Sequence, residues 1–275
     1  MTYQIKFAYA CDMGKVRANN EDNFWCCHEQ LPVENQGLAG IHTGSGTQSD
    51  MPVLAVFDGM GGESCGEMAA FLAAEELGRF HQRNKRGMKR NPEGFLRDAC
   101  RKMNEAVCRY GRENGVRCMG TTLAMTAFGR QSIFACNLGD SRIYQVRNGQ
   151  AARISTDHVM GNGFFGKAPL TQYLGVEEEH MLLEPSIVEI DYQPEDRYLL
   201  CSDGLTDMLT EQEIFDILAH GNTVEETVRE LMEKTMEKGG KDNATIILCE
   251  VQANEEKPSF VTRLRQRRKE YVKVM

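Results

Sequence analysis

The sequence predicts an α+β fold built on antiparallel sheets. Strands crowd into residues 121–154 with only short turns between them, helical segments precede and follow that region, and an apolar strand ends near residue 251. Short turns cannot support parallel crossovers, so neighbouring strands in this region are expected to pair as antiparallel hairpins. A chain of 275 residues is long enough to bury such a core without disulfides.

The first predicted elements are two strands separated by a loop. Apolar side chains alternate from Tyr3 to Tyr9, which is typical of a strand with one buried face. The apolar run from Pro52 to Phe57 predicts a buried strand that ends at Asp58-Gly59. Residues 34–50 are rich in Gly, Ser, Thr and Asn and predict an exposed loop.

Two helices are predicted next. Residues 63–83 carry large apolar side chains at helical spacing. The basic and polar residues 85–91 predict a linker, and Pro92 is well suited to begin a second helix that extends to about Tyr110.

The remaining elements are hairpins, a second pair of helices and a last strand. A hairpin is predicted around Gln193–Asp196, and capping boxes at Thr210…Glu213 and Thr223…Glu226 begin the helices. The last strand is Asn243–Val251. The strands of the crowded region are Thr121–Phe128, Ser132–Leu138, Arg142–Val146 and Gln150–Ile154, the last two joined by Asn148-Gly149.

Composition excludes several classes of protein. The formal net charge is -8, from 40 acidic and 32 basic residues, which argues against a nucleic-acid binder. No apolar run approaches the roughly 20 residues of a membrane-spanning helix, and the N-terminus shows no secretory signal. The 10 cysteines form no Cys-x-x-Cys pair and no zinc spacing. We therefore expect reduced thiols that pack as small apolar groups, in a cytoplasmic protein.

Aspartates at strand ends predict a metal site. Asp58 and Asp203 follow buried strands, Asp242 precedes the last strand, and Asp140 lies in a tight hairpin turn after Leu138. Carboxylates at strand ends can converge on one edge of a sheet system, where their mutual repulsion requires cations. Oxygen-only ligands select hard ions such as Mg²⁺ or Mn²⁺. Each Asp-Gly alone is a common turn, so the ordered set carries the prediction.

Short motifs in chain order make the sequence resemble the PPM-type, metal-dependent serine/threonine protein phosphatases (protein phosphatase type 2C), in their compact bacterial form. The resemblance covers residues 3–251, so the catalytic domain is expected at residues 1–253 and a separate tail at 254–275. The motifs are Asp12–Asp22, Val56–Gly62, Met119–Thr122, Asn137–Tyr144, Thr156–His158, Leu170–Gly175, Ser202–Asp207 and Asp242–Thr245.

The resemblance implies a four-layer α-β-β-α sandwich: two antiparallel sheets flanked by helix pairs, with the metals in a cleft at one end. It implies two Mn²⁺ or Mg²⁺ ions, and a third, looser ion in related enzymes. The residues carried over are Asp58 as the bridging ligand, the Gly59 carbonyl, Asp203 and Asp242 as further ligands, Glu21 acting through water, Asp140, Asp203 and Asp207 for the third ion, Arg17 as the phosphate-binding residue, and Asp22 as a partner that holds the site.

The activity implied by the resemblance is hydrolysis of phosphoserine and phosphothreonine in proteins, by a metal-bridging hydroxide that attacks phosphorus in line. A cognate serine/threonine kinase is the partner implied at family level, beside the phosphoprotein substrates. Two alternatives stay open. One is a catalytically weak or inactive relative that binds phosphoproteins as a regulator, and the other is a phosphatase for a small phosphorylated metabolite.

Two departures from the family pattern affect the expected site. Many relatives have His where this chain has Met60, and that His is a candidate general acid, which Met cannot be. His158 is interpreted as a hydrogen-bonded structural residue. Only Val159–Pro169 stands where relatives carry a longer flap, so a shortened flap is expected, with Phe164-Phe165 packed on the sheet or, as the alternative, covering the site.

Residues 254–275 form a basic tail, with Arg263, Arg265, Arg267, Arg268 and Lys269 among its members. It is interpreted as a solvated helix or a flexible tail. The alternative is a segment that docks an acidic partner or a membrane surface.

Overall fold

Two antiparallel sheets face each other in the computed structural model, which describes residues 3–61, 65–161 and 168–253. The strands are β1 (Tyr3–Asp12), β2 (Asp22–Cys26), β3 (His42–Thr47), β4 (Val53–Gly61), β5 (Met119–Thr121), β6 (Leu123–Phe128), β7 (Ser132–Leu138), β8 (Arg142–Arg147), β9 (Gln150–Arg153), β10 (Ser186–Asp191), β11 (Arg197–Cys201) and β12 (Ala244–Ala253). The first sheet has the order β3-β1-β12-β11-β8-β9, and the second has β10-β7-β6-β4-β2, with β5 paired to the end of β4.

Helices cover the outer face of each sheet. They are α1 (Gly66–Arg90), α2 (Pro92–Asn114), α3 (Asp203–Thr206), α4 (Glu211–Ala219) and α5 (Val224–Glu237). Helices α1 and α2 lie on the second sheet, and α4 and α5 lie on the first. Both predicted capping boxes are present, at Thr210 and Thr223. No described helix is both long enough and apolar enough to pass through a bilayer.

Three separate apolar cores result from this stacking. Leu77 and Met103 belong to the core between the second sheet and its helices. Phe24 and Tyr198 belong to the core between the two sheets, and Leu231 belongs to the core under α4 and α5. Three cores require four layers, so the predicted α-β-β-α sandwich is confirmed.

The loop predicted over residues 34–50 is wrong in its second half. His42–Thr47 forms β3, which pairs antiparallel with β1 at the edge of the first sheet. A Cβ on Gly44 would lie 2.5 Å from the ring of Phe7, so a residue without a side chain is needed where the strand crosses that ring. The small polar residues that indicated a loop are instead those of an edge strand.

The linker predicted at residues 85–91 is also wrong. Helix α1 continues to Arg90, and only Asn84 departs from helical geometry, at φ -117° and ψ 21°. The Asn84 side chain donates to the Phe80 carbonyl at 2.9 Å. Met88 is completely buried, so one apolar anchor holds the basic segment in helical form.

Two of the predicted hairpins are crossings between sheets. β10 pairs with β7 in the second sheet, whereas β11 pairs with β8 and β12 in the first. The turn at Gln193–Asp196 therefore joins the layers, and so does the turn after Leu138. A short turn specifies a reversal of direction but not whether the next strand stays in its sheet. The hairpins β6-β7 and β8-β9 are confirmed.

All 10 cysteines lie in the described residues, where no disulfide joins any of them. Seven of them are buried, and Cys27 and Cys118 are exposed.

Acid is expected to destabilise the fold through His81. This α1 residue is only 5% exposed. Burial, with the charges of Lys85 and His28, lowers its pKa from 6.5 to about 4. Between these values the unfolded chain binds the proton and the folded chain does not, so the free energy of unfolding falls as pH falls.

We expect His81→Leu to reduce the loss of unfolding free energy between pH 6.5 and pH 4.5 by roughly 2 kcal/mol. Urea unfolding at several pH values measures this loss. His180→Leu, which changes an exposed histidine, is the matched control. The same pH dependence in His81→Leu and wild type would contradict the assignment.

Candidate metal centre and active site

Three carboxylates meet at one end of the first sheet. Oxygen atoms of Asp203, Asp207 and Asp242 all lie within 4.8 Å of one another. Asp203 and Asp207 bound the short helix α3 that follows β11, and Asp242 precedes β12. Because β11 and β12 are antiparallel neighbours, the end of one and the start of the other lie at the same edge. The donors are all oxygen, so the set suits a hard divalent cation.

Gly204 permits this close approach. A Cβ at this position would lie 1.9 Å from the carbonyl oxygen of Asn243, so any side chain would push α3 away from the start of β12. The close approach of Asp203 to Asp242 therefore requires glycine at position 204.

Asp58 lies where strand β4 changes partner. β4 pairs with β2 up to Asp58, which is opposite Asp22, and its last residues, Gly59 to Gly61, pair with β5. The strand therefore continues beyond Asp58, where the sequence predicts its end. The Asp58 amide donates to Thr122 Oγ1 at 3.1 Å, and the Thr122 amide donates back to the Asp58 carbonyl at 2.9 Å.

Gly59 is enclosed by backbone on two sides. Its amide donates to the Glu21 carbonyl at 3.1 Å. A Cβ at this position would lie 2.2 Å from the Gly66 carbonyl oxygen at the start of α1. The approach of α1 to the site thus requires glycine here.

Arg17 reaches the carboxylate cluster from the loop after β1. Its Nη2 donates to Asp242 Oδ2 at 2.7 Å, and its side chain is about half exposed. The hydrogen bond to Asp242, together with the charges of Glu21 and Asp58, raises the pKa of Arg17 above its usual value. Four of the predicted site residues, Arg17, Glu21, Asp58 and Asp242, are therefore electrostatic neighbours.

Asn243 holds the loop that carries Arg17 and Glu21. Its Nδ2 donates to the carbonyls of Met13 at 2.8 Å and Asn19 at 2.9 Å, and its Oδ1 accepts from the Glu21 amide at 2.8 Å. Three bonds from one carboxamide tie both ends of the loop to the start of β12. The position of Arg17 is therefore coupled to that of Asp242.

Glu21 is half-buried beside the start of α1. Burial raises the pKa of its carboxyl, and the nearby Glu67 contributes in the same direction, whereas a hydrogen bond from Asn19 acts against them. Its Cδ lies 2.9 Å from the position that a Cβ on Gly66 would take.

Asp22 lies beneath the cluster and is only 2% exposed. Its Oδ2 accepts from Ser202 Oγ and Thr245 Oγ1, each at 2.7 Å. Burial raises its pKa to about 7, although these hydrogen bonds lower it. Asp22 therefore ties β2 of one sheet to the ends of β11 and β12 of the other and is shielded from solvent.

Asp140 lies in the turn that crosses from β7 to β8. The next residue, Ser141, has its Oγ 2.6 Å from Thr122 Oγ1, which in turn holds Asp58. Within the described part of the chain, the mutually close set contains Asp203, Asp207 and Asp242, and Asp58 and Asp140 stand outside it.

His158 is a structural residue, as predicted. Its Nδ1 accepts from the Gly139 amide at 3.2 Å, and its Nε2 lies 2.9 Å from Ser186 Oγ. Burial lowers its pKa. The ring fixes the turn before Asp140 and has no nitrogen left for a substrate.

The shortened flap is described only at its base. Val159 and Leu170 form an isolated bridge, and the Met160 amide donates to the Pro169 carbonyl at 2.8 Å. Phe164-Phe165 and the basic tail lie outside the described residues.

The sequence predicts the acidic residues but not the neutral side chains that position them. The sequence analysis assigns no individual function to these neutral residues, which are Asn243, Ser202, Thr245 and Thr122. Each lies within three residues of a predicted ligand or inside a quoted motif, and that proximity is the signal that could have found them.

The chain is similar in sequence to known proteins over most of its length. The family described as Protein phosphatase 2C matches residues 42–243. The serine/threonine phosphatase Stp of Listeria welshimeri is 28% identical over 258 residues, which cover 88% of this chain and 94% of that protein. The serine/threonine protein phosphatase PstP of Mycobacterium tuberculosis is 29% identical over 266 residues, 91% of this chain but 46% of PstP.

The fold is similar to solved structures. The crystal structure of Mycobacterium tuberculosis PstP/Ppp matches with a TM-score of 0.72 and 27% identity, and the match covers 91% of this chain and 100% of that chain. The catalytic domain of PstP in complex with two manganese ions matches with a TM-score of 0.69 and 27% identity, over 92% and 100% of the two chains.

Proposed function

The chain belongs to the protein phosphatase 2C family, and from this premise we propose that it hydrolyses phosphoserine and phosphothreonine in proteins. The observation that carries the proposal is the meeting of Asp203, Asp207 and Asp242, with Arg17 bonded to the last of them. A cluster of anions beside a half-exposed guanidinium can hold divalent cations and a phosphoryl group side by side.

The oxygen-only donor set supports Mn²⁺ or Mg²⁺ as the ions held here. We propose that two ions are held by Asp58, the Gly59 carbonyl, Asp203 and Asp242, with Glu21 acting through water, and that Asp140 and Asp207 serve a third. When bound, such ions lower the pKa of water to near neutral and offset phosphoryl charge. The manganese ions in the PstP structure support this choice of metal.

Arg17 binds the phosphoryl group in this proposal. Its planar guanidinium offers parallel N–H donors that match two phosphoryl oxygens, an arrangement that a lysine cannot copy. Because its side chain is half exposed and its described hydrogen-bond partner is Asp242, it can exchange that carboxylate for substrate. Asp22 positions the ends of β11 and β12 through Ser202 and Thr245 and does not contact the substrate.

Protonation of the leaving alkoxide falls to water. Met60 has no proton to donate. Both ring nitrogens of His158 have partners, the Gly139 amide and the Ser186 hydroxyl. Neither Met60 nor His158 can therefore act as the general acid, the first because it has no proton to donate and the second because both its ring nitrogens are hydrogen-bonded.

Phosphate release from matched substrates tests the proposed activity. The full chain with Mn²⁺ should hydrolyse an aryl phosphate and a phosphothreonine peptide, with higher kcat/KM for the peptide than for small phosphorylated metabolites. Binding of the phosphopeptide without turnover by folded protein would support the inactive regulator instead. Preference for a metabolite over every peptide would support the third alternative.

The setting of the enzyme follows from the same proposal. Ten free thiols support a reducing compartment such as the cytoplasm. A protein phosphatase needs a serine/threonine kinase to supply its substrates, and we propose one as a functional partner.

Residues 1–253 are proposed as the catalytic domain, because β12 ends at Ala253 after pairing along the whole of β1.

Deletion of residues 259–275 is expected to leave aryl phosphate turnover unchanged, because the site is built from residues that precede Ala253. Turnover by the truncated and full chains at equal Mn²⁺ measures this. A large loss would show that the basic tail contributes to the catalytic domain rather than docking an acidic partner or a membrane surface.

A further inference from the structure

A groove of about 370 Å³ lies beside the loop that carries Arg17. One wall is formed by Ala18, Asn19 and Asn20, a second wall by residues 33–36, and Glu67 of α1 also lines the groove. The groove is therefore bounded by three separate parts of the chain.

The groove lies next to Glu21 of the proposed site. Its first wall lies between Arg17 and Glu21 in the chain, and Asn19 Nδ2 approaches Glu21 Oε1 at 3.3 Å and Glu67 Oε2 at 3.5 Å. Because Arg17 directly precedes Ala18 of this wall, a peptide whose phosphate is held by Arg17 has the groove near it.

The second wall, residues 33–36, is joined to the first and held in place by hydrogen bonds. Asn35 accepts from Asn20 Nδ2 at 2.7 Å and from the Gly37 amide at 2.9 Å, and it donates to the Pro32 carbonyl at 2.9 Å. Gln36 is exposed. The exposed carboxamide of Gln36 carries both donors and an acceptor, which suit the backbone of an extended peptide.

The groove carries negative charge without a matching cation. Glu34 is exposed and Glu67 half-buried, and within residues 3–61, 65–161 and 168–253 neither forms an ion pair with Lys or Arg. Arg17 is directed to Asp242 instead. A cationic side chain entering the groove would find carboxylates that no other described residue neutralises.

A second cleft, at the end of β4, has an arginine in its lining. It measures about 240 Å³ and is lined by Met60, Tyr173 and Arg117, among others. A basic side chain is therefore favoured beside Glu34 and Glu67 and disfavoured near Arg117.

We propose that the groove formed by Ala18–Asn20, residues 33–36 and Glu67 binds the peptide next to the phosphorylated residue and selects substrates with Lys or Arg in that flank. This inference rests on the proposed protein phosphatase function and names the substrate class of the same site. Glu34 acts as a specificity residue, since it is exposed in the groove and is not one of the proposed metal ligands.

Phosphothreonine peptides that differ at one flanking position test the proposal. Arg, Ala or Glu is placed two, three or four residues from the phosphothreonine on either side, and kcat/KM is measured for each. We expect Arg to exceed Ala by about threefold to fivefold at positions on one side, the range of an exposed ion pair. Equal values for Arg and Ala at every position would overturn the proposal.

Variants of Glu34 assign the preference to the groove. Glu34→Gln should reduce the advantage of Arg, and Glu34→Lys should transfer it to the Glu peptide, with aryl phosphate turnover unchanged in both. Glu189→Lys, on exposed β10, is the matched control. An unchanged preference for Arg in Glu34→Lys would overturn the proposal.

Failure of the proposed function would look different. If folded wild-type protein does not hydrolyse the aryl phosphate, that result contradicts the proposed phosphatase activity but does not contradict the proposed groove. Fluorescence anisotropy with labelled phosphothreonine peptides then gives Kd for the Arg and Ala peptides. Tighter binding of the Arg peptide that depends on Glu34 supports the groove, and equal Kd values overturn it.

Discussion

Replacement of Asp203 by Asn will abolish hydrolysis of phosphothreonine peptides while the protein stays folded. Asp203 is 9% exposed, begins α3 and contributes an oxygen to the cluster with Asp207 and Asp242. Asn keeps the shape of the side chain but removes one of three crowded negative charges. The cations are expected to supply several kcal/mol of transition-state stabilisation, so we expect kcat/KM to fall by about a thousandfold or more.

Three measurements separate loss of the metal from loss of the fold. Peptide turnover at saturating Mn²⁺ gives the effect on activity, calorimetric titration gives the affinity for Mn²⁺, and thermal unfolding without metal gives Tm. We expect weaker Mn²⁺ binding and an unchanged or higher Tm, because repulsion within the cluster is relieved. Asp216→Asn, on exposed α4, is the control, and near-normal activity in Asp203→Asn would contradict the ligand assignment.

Replacement of Arg17 by Lys will reduce kcat/KM by about a hundredfold, the scale on which loss of one preorganised donor affects a transition state. Lys keeps the positive charge but has no planar fork to hold two phosphoryl oxygens. The bond to Asp242 at 2.7 Å shows that the side chain already reaches the cluster. The variant therefore tests the planar guanidinium fork and not the positive charge.

Steady-state kinetics on a phosphothreonine peptide measure the effect of Arg17→Lys, and Mn²⁺ affinity measured in parallel should stay within a few fold of wild type. Arg229→Lys tests the same exchange on α5, where Arg229 pairs with Glu225 in solvent. Wild-type kcat/KM in Arg17→Lys would show that another residue binds the phosphoryl group.

Elements with local signals are predictable from this sequence. The capping boxes at Thr210 and Thr223, Pro92 at the start of α2 and the Asn148-Gly149 hairpin are all present. Each of these elements depends on contacts between residues close in sequence, so the local pattern of residues is enough to predict it.

Elements whose contacts are distant in sequence are not predictable in this way. β3 forms because β1 offers an edge to pair with, and residues 85–90 stay helical because Met88 has a buried site to occupy. Likewise, nothing in the turn at Gln193–Asp196 shows that β10 and β11 belong to different sheets.

The site shows the same division. Acidic residues at strand ends are visible in the sequence, and the structure brings Asp203, Asp207 and Asp242 together. The clamp by Asn243 on the loop of Arg17 joins residues more than 220 positions apart, as does the bond from Thr245 to Asp22. Only the folded chain reveals such bonds.

Phosphate release from a phosphothreonine peptide, with EDTA and then with excess Mn²⁺ or Mg²⁺, tests the central claim most directly. The account predicts no turnover by the full chain in EDTA, recovery when either ion is restored, and no recovery in Asp203→Asn. Turnover that persists in EDTA, or folded wild-type protein that stays inactive with both ions, would contradict a metal-dependent phosphatase.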